Sequence, residues 1–243
     1  MRSGATLKKD GRKLPTPASR RMALGWMAHR LRAALQGDLP PYALLHLDPA
    51  MAGDVTAAGQ LTIATPNHLR GAIAVLLYLD APLASLRAYL EAAWLHDHLH
   101  VMEAANTATR LRAMFRRASY PVPPGLPDPV RLYRGTSALS QKAAARGYAW
   151  TWDRDVACWF ATRFAEANGR PLVLTADVPL SRVSLFTNER GEREALVIGG
   201  CREAVVDGTA ADWREGYVRY ETAKNGALRL SLQWAAAERE IGQ

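Results

Sequence analysis

The stretch Tyr148-Ala-Trp-Thr-Trp-Asp-Arg-Asp-Val-Ala-Cys-Trp-Phe-Ala161 decides how this chain is read. Its first five residues read as the end of a short strand that runs straight into a helix. Asp153 or Asp155 stands where a carboxylate can accept from the first free amides, and Val156, Ala157, Trp159, Phe160 and Ala161 follow as an apolar stripe. Thr151 is thereby delivered to the mouth of the helix, a common way to set a small polar group beside a bound phosphate or sugar.

One strand earlier comes Arg131-Leu-Tyr-Arg-Gly135, an apolar-polar alternation ending in an arginine and a glycine. One loop and strand later comes Glu189-Arg-Gly-Glu-Arg-Glu-Ala-Leu-Val-Ile198, a polar turn carrying carboxylates that opens onto a buried-looking strand. An arginine on a strand, a threonine at a strand-helix junction and Glu-x-Glu entering a strand, in that order, resemble the arginine, serine/threonine and glutamate signature of the ADP-ribosyltransferase family. The helix after Thr151 is similar too, with an acidic residue, Val-Ala and then an aromatic-Phe-Ala run. The resemblance covers residues 128–206, and the order, spacing and context of the three parts carry it, not any one of them.

The resemblance implies cleavage of the nicotinamide-ribose bond of NAD, taken as a substrate, with transfer of ADP-ribose to an acceptor. Positive charge grows on the ribose in such a transition state, so a carboxylate held against the ribose hydroxyls would stabilise it more than the ground state. Glu194 fits that role because Ala-Leu-Val-Ile follows it at once, a strand able to fix it. Glu192 lies on the same side of an extended chain. In the family that position serves the acceptor; glutamate there goes with arginine acceptors, while some nucleic-acid modifiers carry glutamine. Glu189 sits further out in the turn.

By the same resemblance Arg134 would meet the NAD pyrophosphate or the nicotinamide-side ribose through charge-assisted hydrogen bonds. Gly135 would allow close backbone approach, and Thr151 would orient the catalytic glutamate. Trp152, Trp159, Phe160 and Phe164 read as core aromatics, with Trp152 and Phe160 the ones taken to reach the expected nucleotide. The flanks of Thr151 are Trp150 and Trp152 where the family usually has Ser-Thr-Ser. Taken singly, Arg134 also fits an edge-strand arginine, Thr151 a strand threonine, and Glu192 and Glu194 a solvated turn.

Length and charge set the frame. With 243 residues, 49% hydrophobic and 22% charged, the chain can build one sizeable core or two modest ones. Lys and Arg number 31 against 23 acids, for a net charge of +8, and the pI is near 9.8. Such a balance suits an anionic partner such as nucleic acid, a nucleotide or an acidic protein, or reflects arginine on solvated faces. Cys158 and Cys201 make no disulfide framework, which fits a reducing cytoplasm. No run reaches the length of a membrane span, and the start has no signal-peptide core.

Residues 1–18 read as a disordered basic arm with Lys8, Lys9, Arg12 and Lys13. Residues 19–127 read as a helical domain: a helix over 20–36 capped by Ser19, a short helix or buried strand over 42–47 ended by Asp48-Pro49, and a loop over 50–66 with a strand at 61–64. Apolar helices follow from 67 to 79 and from 83 onward. The second runs into His96-Asp-His-Leu-His100, where His96 and His100 would share a helix face with Glu103 one turn on; the run lacks the glutamate of a zinc-protease helix and no metal is assigned. Arg110, Arg112, Arg116 and Arg117 form a basic stripe or a solvated face. Prolines then crowd positions 121–129 and mark a boundary near Asp128.

Beyond it, 128–243 reads as a mixed α/β catalytic domain, so the class is α+β with two small packed β-sheets of ADP-ribosyltransferase-like kind. Strands are expected at 130–133, 147–152, 172–178, 184–186, 195–198 and 204–206, helices at 139–145 and 155–167, and further edge strands at 217–220 and 228–234 before a polar helical end. The function expected is an effector- or toxin-like mono-ADP-ribosyltransferase acting on a protein arginine or a nucleic acid, the acceptor and any neutralising partner protein being left open. A non-catalytic basic module that binds nucleic acid or serves as a phage adaptor is the reading from another class.

Overall fold

The computed structural model describes residues 17–241. Residues 1–16 of the expected basic arm lie outside the described residues, while Pro17 and Ala18 already belong to the first helix. The chain divides into two compact units, Met1–Ser119 and Tyr120–Gln243.

The first unit is helical: α1 (Pro17–Asp38), α2 (Pro41–Ala52), α3 (Val55–Ala64), α4 (Asn67–Asp80), α5 (Leu83–Ala105) and α6 (Ala108–Ala118). Its core holds Leu47, Leu61, Ile73, Leu76, Leu86, Tyr89, Leu111 and Phe115, all fully buried. Three expectations are corrected here. Pro49 does not end α2 but sits inside its last turn, where a missing amide costs a single bond; Gly53 ends the helix at φ 110°. The expected loop and strand over 50–66 is the helix α3, capped by Asp54, whose carboxylate accepts from the Ala57 amide at 3.0 Å, and buried along Ala57, Ala58, Leu61 and Thr62. Helix α1 begins at Pro17, two residues ahead of Ser19, and Met22 and Trp26 on it are exposed while Ala28 and Leu35 are buried.

Helix α5 breaks at Asp97, where φ is −142° and ψ 42°, and the Asp97 carboxylate pairs with Arg70 of α4. His96 and His100 therefore do not share one straight helical face. Arg117 leaves the expected basic stripe: its guanidinium donates to the carbonyls of Leu77, Tyr78 and Ala81 at the end of α4, the terminus that attracts a cation. No helix among the described residues is long and apolar enough to cross a membrane.

The second unit carries β1 (Val130–Ser137), α7 (Gln141–Ala144), β2 (Ala149–Thr151), α8 (Arg154–Thr162), α9 (Ala165–Asn168), β3 (Pro171–Val178), β4 (Leu185–Thr187), β5 (Glu194–Leu196), β6 (Val205–Val206) and α10 (Ala210–Ile241). The strands form one six-stranded sheet in the order β4-β5-β2-β1-β3-β6, every pair antiparallel. This is one sheet, not two, because β2 pairs with both β1 and β5 and so joins what would otherwise be separate halves. The edge strands expected at 217–220 and 228–234 are instead part of α10.

Register fixes which side chains share a face. Thr187, Glu194, Thr151, Tyr133 and Thr175 lie opposite one another on successive strands, so they form one row on one face. The adjacent row, Phe186, Ala195, Trp150, Arg134 and Leu174, points to the other face. That second face carries the larger core, with Val130, Leu132, Trp150, Leu174, Val178, Phe186 and Val197. Over the Thr151 face lies α8, whose Ala157, Cys158 and Ala161 pack with Val173 and with Trp213 of α10.

Candidate active site

Strand β2 ends at Thr151 and Asp153 turns the chain into α8. The Asp153 carboxylate accepts from the amides of Asp155 at 2.9 Å and Val156 at 3.4 Å, the helix-capping role that the sequence assigns to Asp153 or Asp155. Asp155 serves α10 instead, accepting from Nε and Nη2 of Arg219 at 2.9 and 2.6 Å.

Glu194 is the first residue of β5 and stands directly across from Thr151 on one side and Thr187 on the other. The amide of Trp152 donates to the carbonyl of Arg193, so Thr151 and Glu194 form the non-hydrogen-bonded kind of antiparallel pair, in which side chains come closest. Glu194 is 7% exposed and Thr151 5%, which is deep for a carboxylate. The Thr151 hydroxyl donates to the backbone carbonyl of Glu192 at 2.9 Å and accepts from the Asp153 amide at 3.1 Å. It therefore ties the entry to β5 to the entry to α8, rather than binding the Glu194 carboxylate.

Glu192 and Glu194 are not related by simple strand alternation. Arg193 between them has φ 47° and β5 begins only at Glu194, so the chain turns there. The carboxylates nevertheless meet at one cation: Nη2 of Arg190 lies 2.8 Å from Oε2 of Glu192 and 3.1 Å from Oε2 of Glu194. Arg193 pairs with Asp153 at 3.1 Å, and its amide donates to Oδ1 of Asn188 at the same distance, so the turn is held at both corners.

The other predicted residues divide between the two faces. Phe160 projects from α8 beside Trp159, and Arg163 lies over both rings and that of Phe164 at 4.0 to 4.8 Å. Burial lowers the Arg163 pKa, and the charge of Glu192 acts the other way. Tyr220 of α10 joins this aromatic group, its ring tilted against that of Trp159 at 5.4 Å, with burial and then Glu192 raising its pKa.

Arg134 and Trp152 lie on the opposite face. Trp152 packs edge-on against Phe186 at 5.5 Å. The Arg134 guanidinium donates to the carbonyl of Ala149 and rests on Gly147, where any side chain would collide with it. Burial pulls the Arg134 pKa down, and the Glu194 charge acts the other way. Gly135 returns to the Thr151 face, but the backbone it admits is that of α8: a Cβ there would overlap the carbonyl of Ala157. Glu189 is exposed, its amide donating to the Thr187 hydroxyl at 3.5 Å.

Sequence reasoning passes over Arg190, Arg163, Tyr220 and Thr187. The charge pattern Glu-Arg-Gly-Glu-Arg-Glu over 189–194 is the signal for the first, since a glycine within it lets the turn fold an arginine back on its neighbours. Both thiols are buried and free, with pKa values pushed by burial to about 11 for Cys158 and about 12 for Cys201. Among the described residues no three His, Cys, Asp or Glu side chains converge as a metal ion would require. Comparison with protein-family models, with curated proteins and with solved structures finds no match to this chain.

Proposed function

We propose that this chain is an NAD-dependent mono-ADP-ribosyltransferase of effector or toxin type, its second unit having an ADP-ribosyltransferase-like fold. The observation that carries the reading is a buried Glu194 in the closest cross-strand position to Thr151, with Glu192 brought to the same cation. A carboxylate fixed on a strand is already oriented when positive charge develops on the ribose, so little reorganisation is required as the nicotinamide leaves. Glu192, nearer solvent, takes the proton of the acceptor, whether a protein arginine, a nucleic-acid group or water. Arg163 with Trp159 and Phe160 provides an aromatic and cationic wall for the nucleotide. Arg134 enters as a positioning residue that holds the Ala149 end of β2 from behind.

Incubation with NAD labelled in the nicotinamide ring tests this reading. The wild-type chain releases nicotinamide, and Glu194→Ala lowers the rate by ~10²-fold or more. Equal release by the two proteins overturns it.

One feature favours a second reading, a basic nucleic-acid-binding module. An open cleft of about 540 Å³ in the second unit is lined by Lys142, Arg146 and Arg202 with Ser140 and Gln141, and all three cations are exposed. Phosphate contacts there predict oligonucleotide affinity that falls steeply with salt. Affinity independent of ionic strength removes this second reading.

A further inference from the structure

A guanidinium already occupies the space between the two carboxylates. Arg190 reaches back from the β4-β5 turn, and a single nitrogen, Nη2, contacts both Glu192 and Glu194. Gly191 at φ 68° and Arg193 at φ 47° produce this fold-back, and the Asn188 and Asp153 anchors keep it in place. The Arg190 side chain is 45% exposed against 10% for Glu194, so it approaches the buried carboxylate from the solvent side, as an incoming acceptor must. The same position puts a nitrogen that becomes nucleophilic on loss of its proton within reach of any group held by Glu194, and reacting atoms at about 3 Å convert a bimolecular step into an intramolecular one.

We propose that Arg190 is an acceptor of ADP-ribose within its own chain, making the β4-β5 turn a self-modification site. The inference rests on the transferase reading above. In the step, the bond between C1′ of the ribose and the nicotinamide nitrogen breaks, and its electron pair leaves with neutral nicotinamide. The Glu192 carboxylate at 2.8 Å takes a proton from Nη2 of Arg190 and passes it to water, and the lone pair so freed forms the new bond to C1′. The modified guanidinium regains its charge, and the net release is one nicotinamide and one proton.

Three results identify the modification. After incubation of the purified full chain with NAD, peptide mass spectrometry finds one ADP-ribose on the peptide containing Arg190. The modified fraction grows at a rate that does not change on tenfold dilution of the protein, as transfer within one chain requires. Arg190→Lys loses the labelled peptide, and Glu192→Gln loses the label on Arg190 because the proton has no acceptor. Nicotinamide release with an unmodified Arg190, or a rate that falls in proportion to dilution, overturns the inference and leaves the transferase reading standing. Absence of nicotinamide release from both the wild-type chain and Arg190→Lys removes the transferase reading and this inference with it.

Discussion

At the scale of single residues, Thr151 holds two backbone groups with one hydroxyl, the Glu192 carbonyl and the Asp153 amide. Removing a buried hydroxyl with two partners costs about 1–3 kcal/mol. Thr151→Ala therefore lowers the urea unfolding midpoint and reduces nicotinamide release by about tenfold, while Thr151→Ser, which keeps the hydroxyl, stays near wild type in both assays. Loss of stability with unchanged release would separate Thr151 from the site. Gly135 is a purely steric case. Gly135→Ala drives a methyl into the Ala157 carbonyl of α8 and destabilises the chain by about 3 kcal/mol; a wild-type midpoint would show that α8 can move away freely. The neighbourhood of Thr151 and Glu194 is legible in sequence because each opens or closes a strand beside a recognisable turn. The face on which Arg134 lies is not, since a register change of one residue moves a side chain to the other side of a sheet and motif spacing does not specify it.

Elements show the same division. Helix α8 is readable from its aspartate cap and apolar stripe, and the six strands from short apolar runs between turns. Helix α3 is concealed by small residues, Ala57, Ala58 and Gly59, that look like turn formers until their burial at helical spacing is seen. Helix α10 is concealed by Tyr217-Val218-Arg219-Tyr220, an apparent strand alternation. Burial instead follows Trp213 and Gly216, with Tyr217 and Tyr220 half-buried, a helical spacing against α8. Its start is a reciprocal cap: the Thr209 amide and hydroxyl donate to the Asp212 carboxylate at 2.7 and 2.8 Å, and the Asp212 amide donates to the Thr209 hydroxyl at 3.4 Å. These bonds hold the Asp212 pKa below the ordinary carboxylate range, and a hydrogen bond from Arg131 of β1 does the same for Asp177 of β3. A depressed folded-state pKa adds stability above the unfolded value of about 4, and that stability is lost as pH falls through the folded value. Melting temperatures measured from about pH 6 to about pH 3 thus fall, and Asp212→Ala shows a shallower fall. An identical pH slope for the variant contradicts the capping account.

For the molecule as a whole, the α+β class and the sequence of helices followed by strands can be read directly from periodicity, whereas the number of sheets cannot. That number depends on the one pairing, Tyr133 with Thr151, that joins β1 to β2, a contact between residues remote in sequence. Every residue of the proposed site belongs to the second compact unit, Tyr120–Gln243. Residues 120–243 expressed alone are accordingly expected to unfold cooperatively and to release nicotinamide from NAD; a fragment that folds without releasing it would assign an indispensable part of the chemistry to the first unit. Within that unit the proposed role of the Glu194 carboxylate is to stabilise charge on a ribose, and the near-isosteric change Glu194→Gln removes its charge while keeping its shape. The measurement is the initial rate of nicotinamide release from labelled NAD by wild type and by Glu194→Gln, with thermal unfolding recorded on the same samples. A fall of ~10²-fold or more with folding intact is expected; equal rates from two equally folded proteins would show that the carboxylate plays no such part.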